Sequence, residues 1–375
     1  MQPEWLLLCS CAAPASGIAE IQALLASPLD WDFLLDLAEE HGVTGLFCAK
    51  LQQISFIGVP DPTKEKLLAR IRNQHLFTLS MTAALFRILE KLSASHVSAI
   101  LIKGPITSLL AYGDPAIRSY VDLDFLIRDR EILSAVQHMR DLGFQCDLPE
   151  SAVRAGKIPG EYLFRKPGQR IVELHTERTF RYYPKGMPIE VLLSRSRDVL
   201  LENRKVRALS LEDEFVLNCV HGAKHFWERL MWIADVAALV ENHPEMDWEK
   251  VKRSAAETGA SRMLRVAVQL ASSLLRSQIP QPVRLEIRND RAVTDLVRSI
   301  QAWLPYAGAT PPPLFERAMF RLKMAGGGLA GTGYLVRLTL SPTQEDWNQG
   351  GEDRGPWLWD AVRRPFRLFR KYGSN

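Results

Sequence analysis

Chemistry in this chain concentrates at two aspartates. Over residues 121–127 (Val-Asp-Leu-Asp-Phe-Leu-Ile) acidic and apolar residues alternate. Successive side chains of a strand point to opposite faces, so Val121, Leu123, Phe125 and Ile127 are expected to bury while Asp122 and Asp124 project together. Two adjacent carboxylates repel unless a cation sits between them, and oxygen donors of this kind suit Mg²⁺ or Mn²⁺. The plainer reading of a bare Asp-x-Asp is an edge strand with one solvated face. Residues 171–175 (Ile-Val-Glu-Leu-His) shift that balance. They alternate again, burying Val172 and Leu174 and sending Glu173 and His175 to the other side. If the two strands are neighbours, Glu173 joins the aspartates, and three acids can hold two metal ions. Upstream, Lys103-Gly104-Pro105 ends an apolar run and opens a helix. Backbone amides and a helix N-terminus can receive phosphate there, with Lys103 and Arg118 as nearby cations.

The elements that must position these residues follow from periodicity. Residues 18–54 carry helical spacing punctuated by Gly42, and residues 64–95 form one long amphipathic pattern. Short strands are expected at 99–102 and 121–127 with a helix between them, and a helix at 129–143. A hairpin is expected with arms 161–166 and 170–176 around Pro167-Gly168-Gln169. From Ser210 the pattern turns helical, running through Leu239 and on at 247–276 and 285–304, until Pro311-Pro312-Pro313. Five glycines between Gly326 and Gly333 imply a flexible turn. The fold class is therefore α+β: a small mixed β-sheet core between a helical N-terminal segment and an all-helical C-terminal module. The domain boundaries expected are 1–60 for the helical segment, 61–209 for the α/β core, 210–310 for the helical module and 311–375 for a linker and tail.

On the helix expected from 210, His221, Lys224, His225, Glu228, Trp232 and Asp235 recur every three or four residues and share one face. His-x-x-x-His has the spacing of a zinc pair, but the third ligand and general base of such a site are missing. A hydrogen-bonded stripe between module and sheet accounts for the pattern more simply. At the other end, Arg363, Arg364, Arg367, Arg370 and Lys371 interleave with Trp357, Trp359, Phe366, Phe369 and Tyr372. Such a tail either docks its apolar face on the domain or, through 357–372, meets an acidic partner or a membrane surface.

Composition bounds the rest. Hydrophobic residues at 47% and charged residues at 24% over 375 positions describe a globular chain with volume for a core, which excludes fibrous and disordered classes. A net charge of +4 gives no strong nucleic-acid signal, so any bound anion needs a local site. The five cysteines, Cys9, Cys11, Cys48, Cys146 and Cys219, are scattered and odd in number, which predicts a reducing, cytoplasmic compartment. No stretch approaches the roughly 20 apolar residues of a membrane span.

Taken together, Lys103-Gly104, Tyr112-Gly113-Asp114-Pro115, Arg118, Asp122-x-Asp124, Glu173-x-His175 and His221-x-x-Lys224-His225-x-Trp227 stand in the order seen in a large bacterial branch of the nucleotidyltransferase superfamily. The chain resembles that branch over most of its length, the basic tail included. The resemblance implies a polymerase-beta-like nucleotidyltransferase core and Mg²⁺-dependent, two-ion transfer of a nucleoside monophosphate from a nucleoside triphosphate such as ATP, with pyrophosphate release. The acceptor would be a small molecule, a saccharide or a modified peptide. Asp122, Asp124 and Glu173 would be the catalytic metal ligands. Lys103, Gly104, Arg118 and His175 would lie on the nucleotide side, with His221, Lys224 and His225 reaching its phosphates from a closing helical module. Alternatives of the same fold are a non-catalytic nucleotide- or partner-binding scaffold, and a transferase using a nucleotide-sugar or other phosphate-linked donor. Three departures stand out: Pro105 removes an amide hydrogen, eighteen positions separate Gly104 from Asp122, and the third acid is Glu173 rather than Asp.

Overall fold

Four short helices open the computed structural model, which describes residues 2–148, 153–154, 160–167, 171–177, 182–186, 189–281, 283–284, 290–306 and 313–340. They are α1 (Pro3–Ala12), α2 (Ile18–Leu25), α3 (Trp31–Glu40) and α4 (Thr44–Gln53). Asp30 caps α3 by accepting the Phe33 N–H at 3.0 Å, and the chain turns at Gly42 with φ +70°, where the sequence places its punctuation. The long amphipathic pattern is one helix, α5 (Asp61–Ala94), with Pro62 in its first turn, where no amide is needed.

Seven strands form one mixed sheet among the described residues: β1 (Ile100–Ile102), β2 (Asp122–Leu126), β3 (Gln145–Cys146), β4 (Glu161–Arg165), β5 (Ile171–His175), β6 (Arg197–Leu201) and β7 (Arg204–Ala208). Their spatial order is β3-β4-β5-β2-β1-β7-β6. Between them lie α6 (Gly104–Tyr112), α7 (Ile132–Asp141) and α8 (Ile189–Arg195). Leu123, Phe125, Val172 and Leu174 bury on one face with Leu85, Ile88 and Leu92 of α5 and Val136 and Met139 of α7. The opposite face, carrying Ile100, Ile102 and Leu126, is covered by helices from the second half of the chain. These are α9 (Leu211–Lys224), α10 (Leu230–Asn242), α11 (Trp248–Thr258), α12 (Ser261–Leu275) and α13 (Arg291–Trp303), followed by a hairpin of α14 (Leu314–Met324) and α15 (Gly328–Leu340). The architecture is α+β, and α1–α4 share a single apolar core with α9–α13.

Three expectations are corrected, and one hairpin is added. Val121 precedes β2 and is 65% exposed rather than buried, so the inward row starts at Leu123. The helical run expected from 210 to 239 breaks after Lys224. Phe226 and Trp227 take φ of +57° and +55°, and the Trp227 N–H returns to the Gly222 carbonyl at 2.9 Å. Gly222 permits this reversal, since a Cβ there would meet the Trp227 ring at 2.4 Å. The glycine-rich stretch is mostly helix: the turn is confined to 325–327, and the others lie in α15, where Gly331 lets the helix approach Leu322 so closely that a Cβ would stand 2.7 Å from its carbonyl oxygen. The hairpin of β6 and β7 carries no glycine signal. It turns at Glu202 and Asn203, both at positive φ, the backbone a two-residue type I′ turn requires. The basic tail from 341 onward lies outside the described residues. No described helix is long and apolar enough to cross a membrane.

Candidate active site

Strand pairing creates the acidic centre. β2 and β5 run parallel with Asp124 opposite Glu173 and Leu126 opposite His175, while β1 runs antiparallel to β2 with Ile102 opposite Asp124. Because facing residues of neighbouring strands project to the same side, Asp122, Asp124, Glu173 and His175 gather on the face turned towards α9. Asp124 is buried and receives two bonds from cationic groups, from Lys103 Nζ at 3.2 Å and from His175 Nε2 at 2.6 Å. His175 Nε2 also lies 3.3 Å from Glu173 Oε2, so the imidazole bridges two carboxylates.

The electrostatics follow from this geometry. Burial alone would favour the neutral imidazole of His175, but the bonds to Asp124 and Glu173 outweigh it and raise the pKa to about 9. Burial likewise opposes ionisation of Asp124, yet the Lys103 charge and the His175 bond hold it well below the usual carboxylate range. Asp122 moves the other way. Partial burial, then repulsion from Asp124 and Glu173, raises it to about 6 despite the pull of Lys103. Negative charge here exceeds what two protein cations neutralise, and His175 Nδ1 is buried with no hydrogen-bond partner. Ligand atoms of Asp124, Glu173 and His175 lie within 4.8 Å of one another, so the donor set fits a divalent cation, with Asp122 beside it as a further oxygen donor.

The turn into α6 is unusual. Lys103 sits at φ +55°, ψ −152°, and Gly104 follows at φ +44°. This backbone region is strained for a side-chain-bearing residue. Phosphate access through exposed amides is not what is seen: Gly104 and Pro105 are buried, and the Lys103 N–H is bonded at 3.3 Å to the carboxylate of Glu214 on α9. Arg118 is also committed elsewhere. Its guanidinium is 6% exposed and bonds Asp235 of α10 at 2.8 Å, while the Tyr112 hydroxyl donates to the other oxygen of Asp235 at 2.9 Å. The sequence places Arg118 near phosphate; the structure makes it the counter-ion of a buried acid.

A model of a family described as "uncharacterised nucleotidyltransferase" matches residues 27–276, from the turn before α3 to the end of α12. The chain belongs to that family. No curated protein matches it. A solved structure, titled as an antigenic nucleotidyltransferase-like protein from Paracoccidioides brasiliensis, is 17% identical, with a TM-score of 0.31, the match covering 55% of this chain and 93% of that one.

In this member of the family, α9 lies over the acidic face, and a cavity opens between them. Lys103, His175 and Glu161 line it from the sheet, Leu217, Val220, His221 and Lys224 from α9, and Tyr182 and Tyr183 close one side. Of the histidine stripe, His221 and Lys224 reach this cavity. His225, at the end of α9, does not line it; its ring lies tilted against His221, with centroids 4.7 Å apart, and against Trp232 at 5.1 Å. Burial and the Lys224 charge lower His225 to about 3, and burial together with Lys103 holds His221 well below its ordinary value, so both rings are neutral. Among the described residues the clustered candidate ligands are Asp124, Glu173 and His175; the two adjoining histidines are not part of such a cluster. Lys224 Nζ lies 4.5 Å from the Tyr182 ring centroid and 3.9 Å from Glu161, which keeps it at the cavity wall. Sequence reasoning missed Glu214, Thr107 and Asn218, a buried polar knot behind the Lys103 turn. The one signal for it was Glu214 and Asn218, an acid and an amide four residues apart that border and interrupt the apolar residues of 215–220.

Proposed function

We propose that this protein transfers a nucleoside monophosphate from a nucleoside triphosphate to an acceptor hydroxyl. The observation that supports this most directly is the register of Asp124 against Glu173, which brings two carboxylates and His175 together, with Asp122 on the same face, beside a cavity that His175 lines. Asp122, Asp124 and Glu173 would hold two Mg²⁺ or Mn²⁺ ions, which, when bound, supply positive charge to the triphosphate. Glu173, half-buried beside His175, accepts the proton of the acceptor hydroxyl as its oxygen forms a bond to the α-phosphorus. The bond between the α-phosphorus and its bridging oxygen breaks, and pyrophosphate leaves with that electron pair. Lys103 and His175 fix the orientation of the Asp124 carboxylate, and Lys224 faces the phosphates from α9.

A binding scaffold of the same fold is the second reading. It is favoured by one feature, the neutralisation of Asp124 by two protein cations in a site where ions would compete for it. Incubating the protein with α-³²P-labelled nucleoside triphosphates, Mg²⁺ and a small-molecule extract separates the two. The transferase reading expects labelled product and stoichiometric pyrophosphate, both lost in Asp122→Asn and Glu173→Gln. Nucleotide binding without label transfer would favour the scaffold, and equal labelling by the variants would overturn the site.

A further inference from the structure

We propose that Glu214 is a positioning residue: from α9 it holds the strained Lys103–Gly104 turn so that the Lys103 ammonium reaches Asp124. The proposal rests on the transferase reading for its functional consequence. Glu214 is fully buried, and its Oε1 accepts three bonds, from the Thr107 hydroxyl at 2.6 Å, the Lys103 N–H at 3.3 Å and the Asn218 amide at 3.3 Å. Lys103 and Thr107 are joined in turn by the Thr107 N–H donating to the Lys103 carbonyl at 3.3 Å. One carboxylate oxygen thus clamps both ends of the first turn of α6.

The clamp answers two questions raised by the geometry. A lysine at φ +55°, ψ −152° persists only where its surroundings over-determine it, and Glu214 supplies the bond that fixes its amide. Glu214 Oε1 also takes the acceptor position at the start of α6. The open amides of a helix N-terminus need an acceptor, and here the protein provides its own, leaving the Lys103 side chain to face the acidic centre. The second oxygen, Oε2, is buried with no hydrogen-bond partner, and burial raises the carboxyl pKa against the pull of Thr107 and Lys103. What the knot uses is therefore an acceptor oxygen at Oε1, which an amide supplies equally well. Glu214 belongs to the helical layer and the turn to the sheet layer, so the clamp also registers α9 over the metal-binding face.

The test follows Lys103 directly. Full-length wild type, Glu214→Gln and Glu214→Leu are exposed to a trace amine-acylating reagent, and modification of Lys103 is quantified by peptide mass spectrometry. Val266→Ala, in the core of α12, serves as a control for general destabilisation. Glu214→Leu should speed Lys103 acylation about tenfold, the change expected when one hydrogen bond to a carboxylate is lost. Glu214→Gln should stay near wild type, and so should the control. If Glu214→Leu does not fold, Thr107→Val removes the shortest bond of the clamp and should raise acylation in the same direction. Unchanged acylation in the Leu or Val variant would overturn the proposal, as would a Gln variant that behaves like Leu. Titration with Mg²⁺ and a nonhydrolysable ATP analogue supplies the second readout: weaker binding in Glu214→Leu with rescue in Glu214→Gln. A wild type that binds no nucleotide would sink the transferase reading alone, since the acylation result stands without it.

Discussion

At the scale of single residues, the two aspartates of the pair are not equivalent, and their substitutions separate. Asp124 is the common anion of Lys103 and His175, so Asp124→Asn strands two buried cations and should cost about 3–5 kcal/mol, the range for breaking one side of a buried pair. Asp122 is raised to about 6 by burial and by repulsion, so Asp122→Asn should leave the melting temperature unchanged or higher while abolishing transfer. Thermal melts of both variants beside label transfer check this, and equal destabilisation would remove the distinction. The same charges set a pH dependence. A cation binds the ionised carboxylates and competes with the proton on His175, so Mn²⁺ affinity should rise with pH through about 6 and again through about 9. Without metal the sign for stability is opposite. His175 is raised above its ordinary 6.5, so its contribution is complete below that pH and is lost as pH climbs through about 9. Mn²⁺ titrations followed by electron paramagnetic resonance from pH 5 to 10 test the first statement; an affinity flat across that range would contradict it.

At the scale of elements, the buried pair of Arg118 and Asp235 joins the loop before β2 to α10. Arg118→Met alone should cost about 3–5 kcal/mol by leaving Asp235 unpaired, and Arg118→Met with Asp235→Leu should recover much of it. Urea midpoints of the single and double variants measure this; a double variant as unstable as the single would mean that Arg118 has other work. This pair also marks where sequence reading stops. The acid face was legible because strand alternation is local: β2 and β5 announce their inward rows residue by residue, and Glu173 and His175 fall where alternation puts them. Partners set by tertiary contact were not. Arg118 next to a Gly-Asp-Pro turn reads as a phosphate ligand until α10 brings Asp235 to it, and Glu214 reads as an ordinary N-terminal acid of a helix until α6 meets it. The break after Lys224 was hidden for a related reason. His221, His225 and Trp232 keep helical spacing in sequence, and they meet in space because Trp227 folds back onto Gly222.

At the scale of the whole molecule, the N-terminal helices and the helical layer behind the cavity are one packing unit, and His41 is the joint. Its carbonyl accepts the Met231 N–H at 3.1 Å and its Nδ1 accepts the Leu230 N–H at 3.2 Å, so a residue at the end of α3 satisfies the open amides at the start of α10. Trp5 of α1 lies against the same ring, with centroids 5.0 Å apart. Accepting at Nδ1 requires the imidazole to be neutral there, and burial, aided by the Arg229 charge, lowers its pKa to about 4 from an ordinary 6.5. The unfolded chain therefore takes up this proton at a higher pH than the folded one, and stability present above about 6.5 declines as pH falls towards 4. The shift corresponds to about 3 kcal/mol when the decline is complete. His175 works in the opposite sense at higher pH, so the two histidines leave separate marks on the stability curve. His41→Asn keeps a side-chain acceptor without a group that titrates in this range. Its stability should fall less steeply between pH 6.5 and 4 than that of the wild type, with the two curves running parallel above pH 7. Melting temperatures taken across that interval decide it, and an acid limb of unchanged slope in the variant would show that His41 is not the group that ties α3 to α10.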